Sequence, residues 1–165
     1  MKFEMQIKIY SKSLRVAEAS IDVLGHVNNK EYLRWMELVA IEHSAACGWP
    51  QDRYLAEGHV WVAREHWIEY LRPALLGDEL TVYTWIGAIA GPVSLRQYAI
   101  VKAGKIVTRA ATEWAHIDFK TKRVAPLPAD LLSAFLVVPA GDPELKRLGI
   151  SRPMRWMPVS LEKVI

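Results

Sequence analysis

From Asp22 to Asn29 the chain reads Asp-Val-Leu-Gly-His-Val-Asn-Asn, so one short stretch carries a carboxylate, an imidazole and two carboxamides. Directly after it, residues 29 to 47 contain neither Pro nor Gly, and these polar groups therefore stand just ahead of a helix. A helix N-terminus presents unpaired N–H groups and a partial positive charge, which can hold the oxygen of a polarised carbonyl as an oxyanion develops. A carboxylate a few residues earlier can fold back beside that oxygen and either attack the carbonyl or deprotonate a water. This is equipment for acyl transfer to water. Each residue also has a plain structural use: Asp22 as a turn-forming Asp, Asn28 or Asn29 as a helix cap, His26 as a core or surface imidazole. The spacing leaves both uses open.

Elsewhere the reactive residue types are dispersed. His43 falls on the helix and His59, His66 and His116 on predicted strands, without the paired spacing of a zinc or non-haem iron site, so no metal is expected. Cys47, the only cysteine, has no partner for an internal disulfide and lies at the far helix end among Ala and Trp, where packing as a small hydrophobe is expected. No Gly-rich phosphate loop and no Gly-x-Ser-x-Gly elbow occurs.

The elements that must position these groups are legible from periodicity. Phe3, Met5, Ile7 and Ile9 alternate with polar residues and predict a half-buried strand. The helix from about Asn29 to Cys47 has a terminator in Gly48 and a barrier in Pro50. Its apolar residues, Tyr32, Leu33, Trp35, Met36, Leu38, Val39, Ala40 and Ile41 among them, leave a narrow polar wedge, which predicts burial along roughly 28 Å. Four long strands follow, at about His59–Leu71, Glu79–Ile89, Val93–Lys102 and Lys105–Phe119, separated by Gly-containing turns. Short connections predict that successive strands are antiparallel neighbours. Beyond them lie one short helix near Ala129–Phe135 and an irregular tail punctuated by Pro139, Pro143, Pro153 and Pro158. Lys146, Arg147, Arg152 and Arg155 in that tail read as solvated surface.

With 165 residues, 52% of them hydrophobic and 24% charged, the chain makes one domain with a dense aromatic core and is far from a disordered composition. A net charge of +3 is a mild basic bias that favours anionic ligands, but no basic stripe of the kind that footprints nucleic acid is present. No apolar run reaches membrane-helix length and no signal-peptide pattern opens the sequence, so a cytoplasmic protein without membrane association is expected. Long strands carrying Trp and Tyr at a sheet edge predict a homodimer or homotetramer.

The Asp22–Asn29 string, continued by Tyr32-Leu33-Arg34-Trp35-Met36-Glu37, resembles the signature of the 4-hydroxybenzoyl-CoA thioesterase-like branch of the hot-dog-fold superfamily. It is also similar to the matching segment of plant acyl-acyl carrier protein thioesterases. The resemblance continues through Tyr70-Leu71-Arg72-Pro73-Ala74, Gly77-Asp78-Glu79-Leu80 and Val93–Val101, covering roughly residues 3 to 135. It implies an α+β hot-dog fold, a long central helix wrapped by a curved antiparallel sheet of five or more strands. That domain is placed at residues 1–140, with 141–165 as an irregular Pro-containing tail packed on it.

The activity implied is hydrolysis of an acyl-CoA or acyl-carrier-protein thioester to acid and thiol, with no cofactor other than the coenzyme A of the substrate. By the same resemblance Asp22 is the nucleophile or general base, Asn29 polarises the carbonyl through its backbone N–H, and His26 with Asn28 orients substrate or water. Ser94, and more loosely Arg96, match places that hold the coenzyme phosphates at a dimer surface. The plant pattern has an Asn two residues after the Asp, where this chain has Leu24. Another hot-dog branch carries a catalytic Glu on the central helix. Here Glu37 occupies that helix, and its bland use is an ion pair with Arg34. A hot-dog dehydratase or hydratase and a non-catalytic acyl-CoA binder are the alternatives.

Overall fold

The computed structural model describes residues 6–162. In chain order the elements are β1 (Tyr10–Arg15), α1 (Asn29–Ala46), α2 (Gln51–Ala56), β2 (His59–Tyr70), β3 (Glu79–Ala90), β4 (Val93–Lys102), β5 (Lys105–Asp118), β6 (Arg123–Val124), α3 (Ala129–Ala134) and α4 (Pro143–Arg147). The four long strands and α1 match the periodicity to within a residue or two. The first strand does not. Phe3 and Met5 lie outside the described residues, and Gln6–Ile9 is not strand, because the Ile7 carbonyl is taken by the His43 imidazole at 2.6 Å. β1 starts at Tyr10 and runs antiparallel to β3, from Tyr10 opposite Thr84 to Arg15 opposite Glu79.

The sheet order is β1-β3-β4-β5-β2, with β6 added beside β5, and every pairing within it is antiparallel. β3, β4 and β5 are successive neighbours joined by tight turns, as expected. β2 and β3 are not: β2 pairs with β5 at the opposite end of the sheet. The reason is the connection between Tyr70 and Glu79, which passes beneath the helix start and is stitched to it. Ala74, fully buried there, accepts from Val27 N–H at 2.9 Å and donates to the Tyr32 hydroxyl at 3.3 Å. A strand anchored to the helix in this way closes the curl from its far side.

α1 lies on the concave face of the sheet. Tyr32, Trp35, Met36, Val39 and Ala40 pack with Leu80, Val82, Tyr98, Ile100 and Ala110 in the main core. Inward-pointing residues alternate along β4: Ser94, Arg96, Tyr98 and Ile100 face α1, whereas Val93, Leu95, Ala99 and Val101 face away into two further clusters. That second face is covered by the tail. Val138, Leu145 and Ile150 pack on Trp85 and Ala99, while Met154, Trp156, Met157 and Leu161 pack on Val93, Leu95 and Ala111. The tail is thus more ordered than its prolines imply; α4 has Asp142 as cap and Pro143 in its first turn, a position that proline suits. Arg152 and Arg155 are not merely solvated, since both pair with the buried Glu69 carboxylate, Arg152 at 2.6 Å and Arg155 at 2.6 Å.

The helix is buried on one side only. Leu33, Arg34 and Glu37 are exposed, because one copy of the sheet covers one face of α1 and the apolar circumference exceeds what that sheet can reach. Among the described residues no helix is long and apolar enough to cross a membrane.

Candidate active site

The Asp22 segment folds as a miniature hairpin against the start of α1. Asp22 N–H donates to the His26 carbonyl at 2.8 Å, Asn28 N–H donates to the Ser20 carbonyl at 2.8 Å, and an antiparallel bridge joins Ile21 to Val27. Gly25 turns the loop at a φ of 77°, a conformation in which a Cβ is strained. One carboxylate oxygen of Asp22, Oδ1, accepts from Leu24 N–H at 2.8 Å and from His26 N–H at 3.3 Å. The structural use foreseen for this Asp is therefore real, and it occupies one oxygen. Oδ2 has no partner among the described residues.

Asn28 is the cap of α1: its side-chain oxygen accepts from Lys30 N–H at 3.1 Å and its carbonyl from Glu31 N–H at 2.9 Å. That leaves Asn29 N–H, the first of the helix, with no acceptor among the described residues. Asn29 and His26 are both exposed, and Asp22 is partly so. Asp22 is also close enough to the first turn of α1 that its charge, after burial, helps push the Tyr32 hydroxyl above its ordinary pKa. Loop, cap and helix start thus present an anchored carboxylate and an unpaired N–H on one open surface.

Ser94 and Arg96 lie elsewhere. The expectation that they sit at a surface strand edge fails on the pleat of β4, which turns both toward α1, where they are 4% and 6% exposed. They line a cavity of about 340 Å³ enclosed by the second half of α1, by α2 and by the ends of β2, β3 and β5, with Ala40, Tyr54, Trp61 and Phe135 among its walls. None of Asp22, His26, Asn28 and Asn29 lines it. Along the helix axis Asn29 and Ser44 are roughly 22 Å apart, so a single chain holds two distinct parts of a site.

Glu37 lines the mouth of this cavity. The expected pair with Arg34 does not form. Helical side chains lean toward the N-terminus, and Arg34 reaches back to Glu31 instead. Glu37 opposes the effect of burial on His66, which is held below the ordinary imidazole range and bonded through Nδ1 to Thr112 Oγ1 at 2.8 Å. Cys47 is buried, as its setting implied.

Two further residues belong to the cavity's chemistry. His43 Nδ1 lies 2.9 Å from Arg96 Nη1, and burial together with the Arg96 charge lowers the imidazole pKa to about 4. Neutral His43 must then donate from Nε2 to the Ile7 carbonyl and accept at Nδ1. Trp114 is a wall residue whose indole lies against the Tyr98 hydroxyl. The sequence does carry a signal for His43, because Tyr32, Trp35 or Met36, Val39 and His43 recur at helical spacing on one face. Nothing in it pairs His43 with a residue fifty-three positions later. Among the described residues no three His, Cys, Asp or Glu side chains gather as a metal site.

Comparison with known proteins bears on the fold and the family. The long-chain acyl-CoA thioesterase FadM of Escherichia coli (strain K12) is 28% identical over 123 residues, spanning 72% of this chain and 90% of that protein. A probable thioesterase from Bartonella henselae, known from its crystal structure, is 26% identical with a TM-score of 0.67, covering 73% of this chain and 99% of that one. The 1,4-dihydroxy-2-naphthoyl-CoA thioesterase of Synechocystis shares the fold at a TM-score of 0.70 with 21% identity, covering 76% of this chain and 94% of that one. The family model for the thioesterase-like superfamily matches residues 16–135, from the end of β1 through α3, and the chain belongs to that superfamily.

Proposed function

We propose that this protein is an acyl-CoA thioesterase in which Asp22 and the start of α1 act on the thioester. The observation that carries the reading is the unpaired Asn29 N–H at the start of α1, together with an Asp22 carboxylate, on the hairpin leading into that helix, that is anchored through one oxygen only. The N–H and the helix macrodipole stabilise the oxyanion as the carbonyl is attacked. Asp22, through Oδ2, attacks the carbonyl or takes the proton of the attacking water, and coenzyme A leaves as the thiolate. His26 and Asn28 border the same surface, His26 to orient water or substrate and Asn28 to fix the helix start. The apolar walls of the cavity suit the acyl group, and Ser94 and Arg96 contact that group rather than the phosphates of coenzyme A.

Assembly as a homodimer is part of the proposal. Val23 is fully exposed and Leu24 is 75% exposed on the loop that carries Asp22, and Leu33 on α1 and Val62 on β2 are also uncovered. β2 is also an edge strand with a long row of free backbone groups on its outer side. A second copy placed edge to edge along β2 covers these and brings the helix start of one protomer toward the cavity mouth of the other. The outer face of the sheet is already covered by the tail, which supports a dimer over a back-to-back tetramer. A reducing cytoplasm, where acyl-CoA is made and used, suits a chain with one cysteine.

The test is thiol release across a panel of acyl-CoAs with Asp22→Asn beside the wild type. Asn keeps the oxygen that accepts from Leu24 and His26, so the loop stays in place while the charge is lost. Turnover should fall by about 10²–10⁴-fold with an unchanged melting temperature. Hydrolysis by the variant at near the wild-type rate defeats the assignment.

A further inference from the structure

Arg96 is a buried cation without a counter-ion. It is 6% exposed, and among the described residues no carboxylate lies within ion-pair distance of it. The nearest acid on the cavity wall, Glu37, is exposed at the mouth and stands six residues, roughly 9 Å of helix, before His43. Nη1 uses its two hydrogens on neutral groups, His43 Nδ1 at 2.9 Å and Thr84 Oγ1 at 3.1 Å. Of the five N–H donors of a guanidinium, the three on Nη2 and Nε are left unengaged. Leaving a buried charge uncompensated is costly, and structures retain such a charge where something else neutralises it.

The surroundings say what that something is. Arg96 lines the 340 Å³ cavity, and Trp114 stands on the same wall. His43 orients the guanidinium and contributes no negative charge, because its own second nitrogen is committed to the Ile7 carbonyl at 2.6 Å. The rest of the wall combines apolar residues, Ile86, Ile89 and Phe135 among them, with the hydroxyls of Ser44, Tyr54 and Ser94, which are neutral and supply no counter-charge. Unengaged guanidinium donors at one place in a largely apolar chamber fit a ligand that is a hydrocarbon over most of its length and anionic at one end. A carboxylate has the two oxygens in the plane that a guanidinium fork addresses. A phosphate carries more charge than one guanidinium neutralises, and no second Lys or Arg is among the described lining residues.

We propose that the cavity takes an acyl group ending in a carboxylate, with Arg96 as the counter-ion that selects it, so that the preferred substrates are ω-carboxyacyl-CoAs. This rests on the thioesterase reading and narrows its substrate class. The same guanidinium could meet a different carboxylate, that of the free acid formed by hydrolysis of an ordinary acyl-CoA, and the experiment separates the two sources.

Acyl-CoAs of increasing chain length are assayed against the intact protein, each beside its ω-carboxy counterpart, with wild type, Arg96→Met and Arg96→Lys. At the best length the wild type should favour the ω-carboxy compound in kcat/KM by at least about tenfold. Arg96→Met should abolish the preference, the ω-carboxy series losing at least about tenfold more in kcat/KM than the unsubstituted series. Arg96→Lys, which keeps charge but not the fork, should retain a weakened preference. Binding of free dicarboxylic and monocarboxylic acids of matched length, followed by calorimetry, reads the site without turnover. The diacid should bind more tightly than the monoacid to wild type, and that difference should vanish in Arg96→Met. Absence of ω-carboxy preference in the wild type overturns the proposal whether or not the variants fold. Equal losses on both series, or monoacid binding as tight as diacid binding, assign Arg96 to the product carboxylate and overturn it as well. Diacid binding that depends on Arg96 in a protein releasing no thiol from any acyl-CoA supports the pocket and defeats the thioesterase reading instead.

Discussion

His43 and Arg96 form the most consequential side-chain contact in the molecule, because it buries a neutral imidazole against a cation. An imidazole ordinarily titrates at 6.5 and this one is pushed down to about 4, chiefly by burial and then by Arg96. Below pH 6.5 the unfolded chain takes up a proton that the native state refuses until near pH 4. Stability is therefore whole above that window, declines as pH falls through it, and loses at most about 3 kcal/mol by this route. Gln can accept from Arg96 and donate to the Ile7 carbonyl without titrating. His43→Gln should fold, and urea unfolding at a series of pH values should show a shallower acid decline than the wild type by about that amount. Identical acid limbs contradict a neutral buried His43. Asp22 illustrates the other side of residue-level inference: its type and spacing named it as catalytic or as a turn former, and the hairpin shows that one oxygen serves the turn while the other stays open.

At the scale of elements, α1 has its two ends written in sequence and its packing written elsewhere. Asn28 caps, Gly48 ends the run with a φ of 90°, and Pro50 follows, each for a local reason that a neighbour need not supply. The proposed role of the helix start can be tested at one position. Pro is well accepted at the first helical residue, and Asn28, with a ψ of 136°, already has the extended backbone that precedes a proline. Asn29→Pro thus deletes one N–H and little else. It should lower kcat by about 10²–10³-fold, whereas Asn29→Ala, which keeps the N–H, should stay close to wild type. Equal activity in the two variants, measured by thiol release, removes the N–H from the mechanism. The first strand marks where such local reading stops. Alternation at Phe3–Ile9 is genuine in the sequence, yet strand formation needs a partner, and β3 pairs with Tyr10–Arg15 while Ile7 is engaged by His43.

For the whole molecule, the distribution of cover bears on the proposed homodimer. One face of the sheet is filled by α1 and the other by the tail, and the exposed apolar residues include Val23 and Leu24 on the Asp22 loop, Leu33 on α1 and Val62 on the β2 edge. Light scattering at micromolar concentration should give a particle of about twice the 18.7 kDa chain mass, and Val62→Asp should shift it toward the single chain with loss of activity. A wild-type particle of single-chain mass that still turns over acyl-CoA excludes a site completed by two copies.

By itself the sequence determined the elements with local signals: the capped helix, the four long strands between Gly turns, and the chemical character of the Asp22–Asn29 loop. Backbone propensity, capping and hydrophobic period are properties of a few adjacent residues, and they act before any long-range contact exists. Only the tertiary structure decided that β2 crosses to pair with β5, that Arg34 turns to Glu31 and leaves Glu37 at a cavity mouth, and that Arg96 meets His43. Those outcomes depend on which surfaces the chain's curvature brings face to face, and on charges that must find partners after burial. They are settled by packing between segments far apart in sequence, where no local pattern reaches.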